Sequence, residues 1–203
     1  MNYLAIDTSG SHLTVVITKN GEIFSKFLPD GNLKHSITLM PTVEELLDKA
    51  NITIENIDGF AVVIGPGSFT GIRIGVSTVK AFAYAFKKPV LAVTSFDVLA
   101  YNKRGGKRLA VIDAMHDNFY ASGYDENGVT ITPSFLTKSD VIALSSEYEI
   151  LSSTEIDGLV VTKVSLLTGL INAISEKQSE FSLDVEVLEP LYVRKSQAEE
   201  GRQ

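Results

Sequence analysis

The chain has 203 residues, 44% hydrophobic and 21% charged, which suits one large domain or two small lobes and excludes a disordered chain. Its net charge of −7 argues against unaided gripping of a nucleic-acid backbone, and the absence of cysteine excludes disulfides, thiolate chemistry and Cys-ligated zinc. No apolar run approaches the roughly 20 residues that cross a bilayer and no signal-peptide pattern opens the chain, so a cytoplasmic protein without membrane contact is expected.

The first half opens with three short β-rich runs, Tyr3 to Asp7, Leu13 to Thr18 and Glu22 to Phe27. Lys19-Asn20-Gly21 supplies a hairpin turn of the Asn-Gly type between the second and third. A helix over about Ser36 to Ala50 follows. The continuous apolar run Phe60-Ala61-Val62-Val63-Ile64 then reads as a buried strand, and Val76 to Phe86 as a helix-forming stretch. Val90 to Val93 is a further strand. The second half begins in the same way, with Leu109 to Asp113, then Asn118 to Tyr124, then a turn at Asp125-Glu126-Asn127-Gly128. An apolar strand ending in Asp at the start of each half is an echo, and the pattern by itself supports an α/β fold. The expected division is a first lobe over 1–103 and a reduced second lobe over 104–203, with a polar tail from about 195. Lys103-Arg104 and Lys107-Arg108, around Gly105-Gly106, read more simply as a solvated linker than as a nucleic-acid site.

Between the strand at Phe60 and the following helix lies Gly65-Pro66-Gly67-Ser68-Phe69-Thr70-Gly71-Ile72-Arg73-Ile74-Gly75. Gly65 and Gly67 permit backbone angles other residues resist, and Ser68 or Thr70 can accept a hydrogen bond from the first helix amides. Such a junction turns backbone N–H groups toward an anion. It is neither a Walker loop, lacking Gly-Lys-Ser/Thr, nor a dinucleotide fingerprint. Nor is it a nucleophile elbow, because Thr70 fills the slot of the second glycine; a hydrolytic Ser68 would need a base and an acid in space. Arg73 sits in a first helical turn, where a cation opposes the dipole, so a carboxylate partner or exposure to water is expected for it. Asp7, Thr8 and Ser9 end the first strand with a carboxylate and two hydroxyls, which serve either as a strand-end cap or as anion or nucleotide contacts together with Gly67, Ser68 and Arg73. No metal site is expected, since His12, His35 and His116 are far apart in sequence and His35 is followed at i+4 by Leu39.

Both first-half helices carry more apolar surface than one core needs. On the first, Ile37, Met40 and Leu47 form one stripe and Leu39, Val43, Leu46 and Ala50 another, with Pro41 kinking the helix or marking its regular start. On the second, Gly71 and Gly75 stand four apart, and Ala81, Ala83 and Ala85 keep the later turns thin. Ile72, Ile74, Val76, Val79, Phe82 and Phe86 supply burial. Close approach of another backbone over these glycines is the expectation. On the residues alone the two helices pack either only against their own sheet and each other, or also against another chain through Ile37, Met40, Val43, Leu47, Gly71, Ile72, Gly75, Val79 and Phe82.

As a string, Gly-Pro-Gly-Ser-Phe-Thr-Gly-Ile-Arg-Ile-Gly resembles the signature of the TsaB (YeaZ-type) family. So do Leu4 to Ser9, the stretch from His35-Ser36 to Leu39-Met40-Pro41, and Pro190-Leu191-Tyr192-Val193-Arg194. The resemblance implies the actin-like, sugar kinase and Hsp70 fold, with two lobes each built on a mixed sheet flanked by helices. It implies a non-catalytic dimerisation subunit for the threonylcarbamoyladenosine modification of tRNA. Such a subunit pairs with the catalytic TsaD subunit through the first-lobe helices, supports docking of the P-loop ATPase TsaE, forms a homodimer when alone and meets tRNA only through the complex. ATP is implied at the level of the complex, bound by a partner, and no cofactor for this chain. In that fold Asp7 and its echo Asp113 would handle phosphate and magnesium, but Asp113-Ala114-Met115-His116 lacks the needed glycine and no late Gly-Gly turn is present to hold adenosine. The helix also lacks the paired histidines of the metal-binding relatives. The alternatives left open are an ATP-dependent small-molecule kinase of the same fold and a peptidase.

Overall fold

The computed structural model describes residues 1–29 and 35–194. Two compact units share the chain. The first comprises Met1–Ser95 and Ala173–Pro190, the second Phe96–Asn172 together with the chain from Leu191, described to Arg194. The chain thus changes unit at Ser95/Phe96, eight residues before the expected 103/104, and a late segment returns to the first unit. The polar tail expected from about 195 lies outside the described residues.

The first unit holds a five-stranded sheet in the order β3-β2-β1-β4-β5. Its strands are β1 (Tyr3–Asp7), β2 (Leu13–Lys19), β3 (Glu22–Leu28), β4 (Gly59–Val63) and β5 (Val90–Val93). β1, β2 and β3 form an antiparallel meander, whereas β1, β4 and β5 run parallel. Asn20 and Gly21 both take positive φ, 51° and 87°, so the two-residue turn between β2 and β3 follows the right-handed twist of its strands. α1 (His35–Ala50) and α2 (Phe69–Phe86) cover one face. Leu39, Val43, Leu46 and Ala50 of α1 and Ile72, Val76, Val79 and Ala83 of α2 bury against Leu4, Ile6, Val15, Ile17, Phe60 and Val62. The opposite sheet face, with Ala5, Asp7, Thr14, Val16, Ala61, Val63 and Leu91, is buried as well. Burial on both faces is why β4 reads as an unbroken apolar run.

The second unit repeats the layout in the order β8-β7-β6-β9-β10. β6 (Arg108–Asp113), β7 (Asn118–Asp125) and β8 (Gly128–Thr137) form the meander, and β9 (Glu149–Ser152) and β10 (Thr162–Lys163) add in parallel to β6. The echo in sequence is therefore a structural duplication. α3 (Ser95–Ala100) follows β5 as α5 (Leu166–Glu176) follows β10, and α4 (Lys138–Leu144) stands where α1 stands in the first unit. The counterpart of α2 is missing: residues 153–161 join β9 to β10 without a helix and cover the core with Ile156, Leu159 and Val161. The basic run between α3 and β6 is neutralised locally, Lys103 pairing with Glu149 and Lys107 with Glu147, while Arg108 is buried and donates to the Lys103 carbonyl.

Candidate functional site

β1 ends in Asp7, and the turn that follows folds back over the start of α2. The Asp7 carboxylate is 1% exposed, and both of its oxygens are engaged. Oδ1 accepts from the Ser9 amide at 2.8 Å and the Ser9 hydroxyl at 2.6 Å; Oδ2 meets His12 Nε2 at 2.8 Å. Burial pushes the Asp7 carboxyl up, but the His12 cation, its hydrogen bond and the two Ser9 donors outweigh that and hold it below the usual carboxylate range. Burial likewise pushes His12 down, and Asp7 outweighs it, holding His12 above the usual imidazole range. The two form a buried ion pair. His12 lies over Gly10, where a Cβ would come within 2.6 Å of its Nδ1, and its ring centroid stands 5.8 Å from that of Phe27.

The turn is bonded to every element around it. Thr8 Oγ1 donates to the Gly71 carbonyl at 2.7 Å, the Ser68 amide donates to the Ser9 carbonyl at 2.6 Å, and Ser95 Oγ lies 3.2 Å from Ser9 Oγ. On its far side, His35 Nε2 donates to the His12 carbonyl at 3.0 Å.

The glycine motif caps α2 and lets the β1 turn lie against it. α2 begins at Phe69 rather than Val76, with Ser68 as its N-cap accepting from the Gly71 amide at 3.2 Å. Gly71 and Gly75 therefore lie inside the helix, and the backbone that approaches them is the chain's own β1 turn. A Cβ at Gly71 would fall on the Thr8 carbonyl, one at Gly75 would come within 2.6 Å of Thr8 Oγ1, and one at Gly67 would fall on the Ser9 carbonyl. Gly67 also has φ 159°.

The expected interface residues divide accordingly. Val43, Ile72 and Val79, at no more than 1% exposure, and the buried Gly71 and Gly75 pack within this chain, because they form the helix stripe that faces the sheet. Leu47 and Phe82 are half-buried against the same core. Ile37 and Met40 point away from it at 62% and 40% exposure, and Phe69 and Tyr84, near the two ends of α2, are 43% and 61% exposed. α1 runs through Pro41 without interruption.

Of the residues expected at an anion, Asp7, Thr8 and Ser9 meet Gly67 and Ser68, and both Asp7 oxygens are engaged by donors of its own chain. Arg73 is turned elsewhere, its guanidinium carbon 3.8 Å above the Phe69 ring. Asp113, the echo of Asp7, is exposed and accepts from the Met115 amide at 2.7 Å. Among the described residues no group of three or more His, Asp or Glu could hold a metal. Ser68 is exposed, its hydroxyl accepting from the Gly71 amide and its amide donating to the Ser9 carbonyl of the turn after β1. A groove of about 360 Å³ between α4 and the 153–161 link brings Ile142, Tyr148, Ile150 and Val160 around Glu149, which Lys103 and Thr162 already engage. The residues missed from sequence are His12 and Ser95. The available signal was His12 lying five residues after Asp7 across Gly10, close enough for a tight turn to join them.

The TsaD family model, described as tRNA N6-adenosine threonylcarbamoyltransferase, matches residues 30–152. A Bacillus subtilis (strain 168) protein named tRNA threonylcarbamoyladenosine biosynthesis protein TsaB is 33% identical over 132 residues, 64% of this chain and 58% of that protein. An Escherichia coli (strain K12) protein of the same name is 32% identical over 135 residues, with the same coverages. The chain thus spans less than two thirds of the length of these curated relatives. The solved structure of YeaZ from Pseudomonas aeruginosa superimposes with a TM-score of 0.77 at 24% identity, covering 94% of this chain and 99% of that one, a likeness of fold. Among the described residues no helix is long and apolar enough to cross a membrane.

Proposed function

The chain belongs to the TsaD family, with curated relatives named TsaB, and from that premise we propose that it acts as the TsaB-type, non-catalytic subunit of a tRNA threonylcarbamoyladenosine-synthesising complex. The observation that carries the reading is the pair of first-unit helices. Their inner stripes are already filled by the sheet, yet Ile37 and Met40 on α1 and Phe69 and Tyr84 near the two ends of α2 keep apolar surface in water. A helix needs only one stripe to stay folded, so apolar side chains exposed beyond it suit another helix pair. The partner is a TsaD-type catalytic subunit, and a second copy of this chain takes its place when the chain is alone. A TsaE-type P-loop ATPase docks on the assembled pair and brings the ATP, while tRNA is met through the complex, in keeping with a net charge of −7 here. The pairing of Asp7 with His12 and the capping role of Ser68 support this reading over a kinase or a peptidase.

Light scattering of the chain mixed with the TsaD homologue of the same source tests it. The account predicts a one-to-one complex at micromolar concentration, which Ile37→Glu with Met40→Glu weakens at least tenfold while the melting temperature of the isolated chain stays within a few degrees, since both residues are exposed. A wild-type chain that never associates, or a double variant that associates as well as wild type, contradicts it.

A further inference from the structure

α1 presents its exposed apolar residues in a weakly held part of the helix. Ile37 and Met40 both lie before Pro41, and a proline at that position cannot donate the N–H that would otherwise reach the Ile37 carbonyl. The six residues His35–Met40 are therefore joined to the rest of α1 by one backbone hydrogen bond fewer than an ordinary turn, at the end where helix amides already lack internal partners. Leu39, 2% exposed, seats this segment in the core. Its start is fixed from outside: His35, the first residue of α1, donates from Nε2 to the His12 carbonyl at 3.0 Å.

The acceptor is itself immobilised. His12 is the residue whose ring closes the Asp7 turn, and that turn is bonded to α2 through Thr8 and Gly71 and through Ser9 and Ser68. One buried turn thus ties down the beginnings of both helices. We propose that His35 is a positioning residue for Ile37 and Met40, its bond to the His12 carbonyl setting where the segment before Pro41 stands relative to α2. This rests on the docking reading above. A side chain that merely began a helix would need no partner across the chain, whereas this bond spans from α1 to the entry of β2.

The test uses the full chain with His35→Ala, which removes the donor, and His35→Gln, which keeps an N–H. Hydrogen exchange at the Leu39 and Met40 amides and affinity for the TsaD homologue are measured on both. His35→Ala is expected to raise exchange and weaken association, each by roughly fivefold to tenfold, the worth of one neutral hydrogen bond, and His35→Gln to recover most of both. Unchanged exchange in His35→Ala overturns the anchor. Raised exchange with wild-type affinity overturns its role in docking, as does a His35→Gln chain no better than His35→Ala. A wild-type chain that does not associate removes the docking reading instead, and the exchange comparison still decides whether His35 anchors α1.

Discussion

Asp7 is buried and accepts three hydrogen bonds, all from its own chain, with His12 as its counter-ion. The pair also gives the fold a definite response to pH. Asp7 titrates below its ordinary value of 3.8, so its contribution is complete above that value and lost as pH falls through the lowered one. His12 titrates above its ordinary value of 6.5, so its contribution is complete below 6.5 and lost as pH rises through the raised one. Denaturation of wild type and His12→Gln from about pH 4 to about pH 9 should show a gap of about 1 kcal/mol, the excess of a charged over a neutral hydrogen bond, that is widest between 3.8 and 6.5 and narrows above. A gap that does not change with pH contradicts the ion pair. At this scale the sequence was a partial guide. That Asp7 ends a strand and caps a turn was legible, because Asp followed by Thr and Ser does so by local chemistry. That His12 supplies its counter-ion was not, because the meeting depends on how Gly10 lets the loop turn.

At the scale of elements, the strands of the first unit and the two long helices follow from period and punctuation, and the hairpin follows from Asn20-Gly21. Gly71 and Gly75 read as helix residues and are so, although the helix-forming stretch was legible only from Val76; glycine costs up to about 1 kcal/mol inside a helix and is accepted here because Thr8 occupies the space a side chain would take. The same geometry explains why the glycine spacing suggested contact with another chain. Close packing was the right inference, and β1 of the same chain is what packs. Ser68 belongs at this scale, as the cap of an 18-residue helix. Ser68→Ala should lower stability by about 1 kcal/mol, read as a shifted denaturation midpoint, and leave function in the complex intact. Loss of function in a chain that remains folded would mean that Ser68 does chemistry.

For the whole molecule, two sheets of the same strand order, one carrying α2 and the other a plain link in its place, make the units unequal. The duplication was visible in the strand-ending Asp7 and Asp113. The loss of the second α2 was not, since α4, β9 and β10, with seven, four and two residues, have too few to show a period, and the return of Ala173–Pro190 to the first unit is a tertiary choice no local pattern reports. The Pro190 to Arg194 motif has a structural use: Leu191 and Val193 pack on the core of the second unit and Arg194 lies over Phe135, 5.0 Å from its ring. The most direct measurement is reconstituted formation of threonylcarbamoyladenosine on tRNA by the TsaD-type and TsaE-type proteins with their donor, with and without this chain. The account predicts that turnover depends on the chain, falls with Ile37→Glu and Met40→Glu and is unaffected by Ser68→Ala; full turnover without the chain would contradict it.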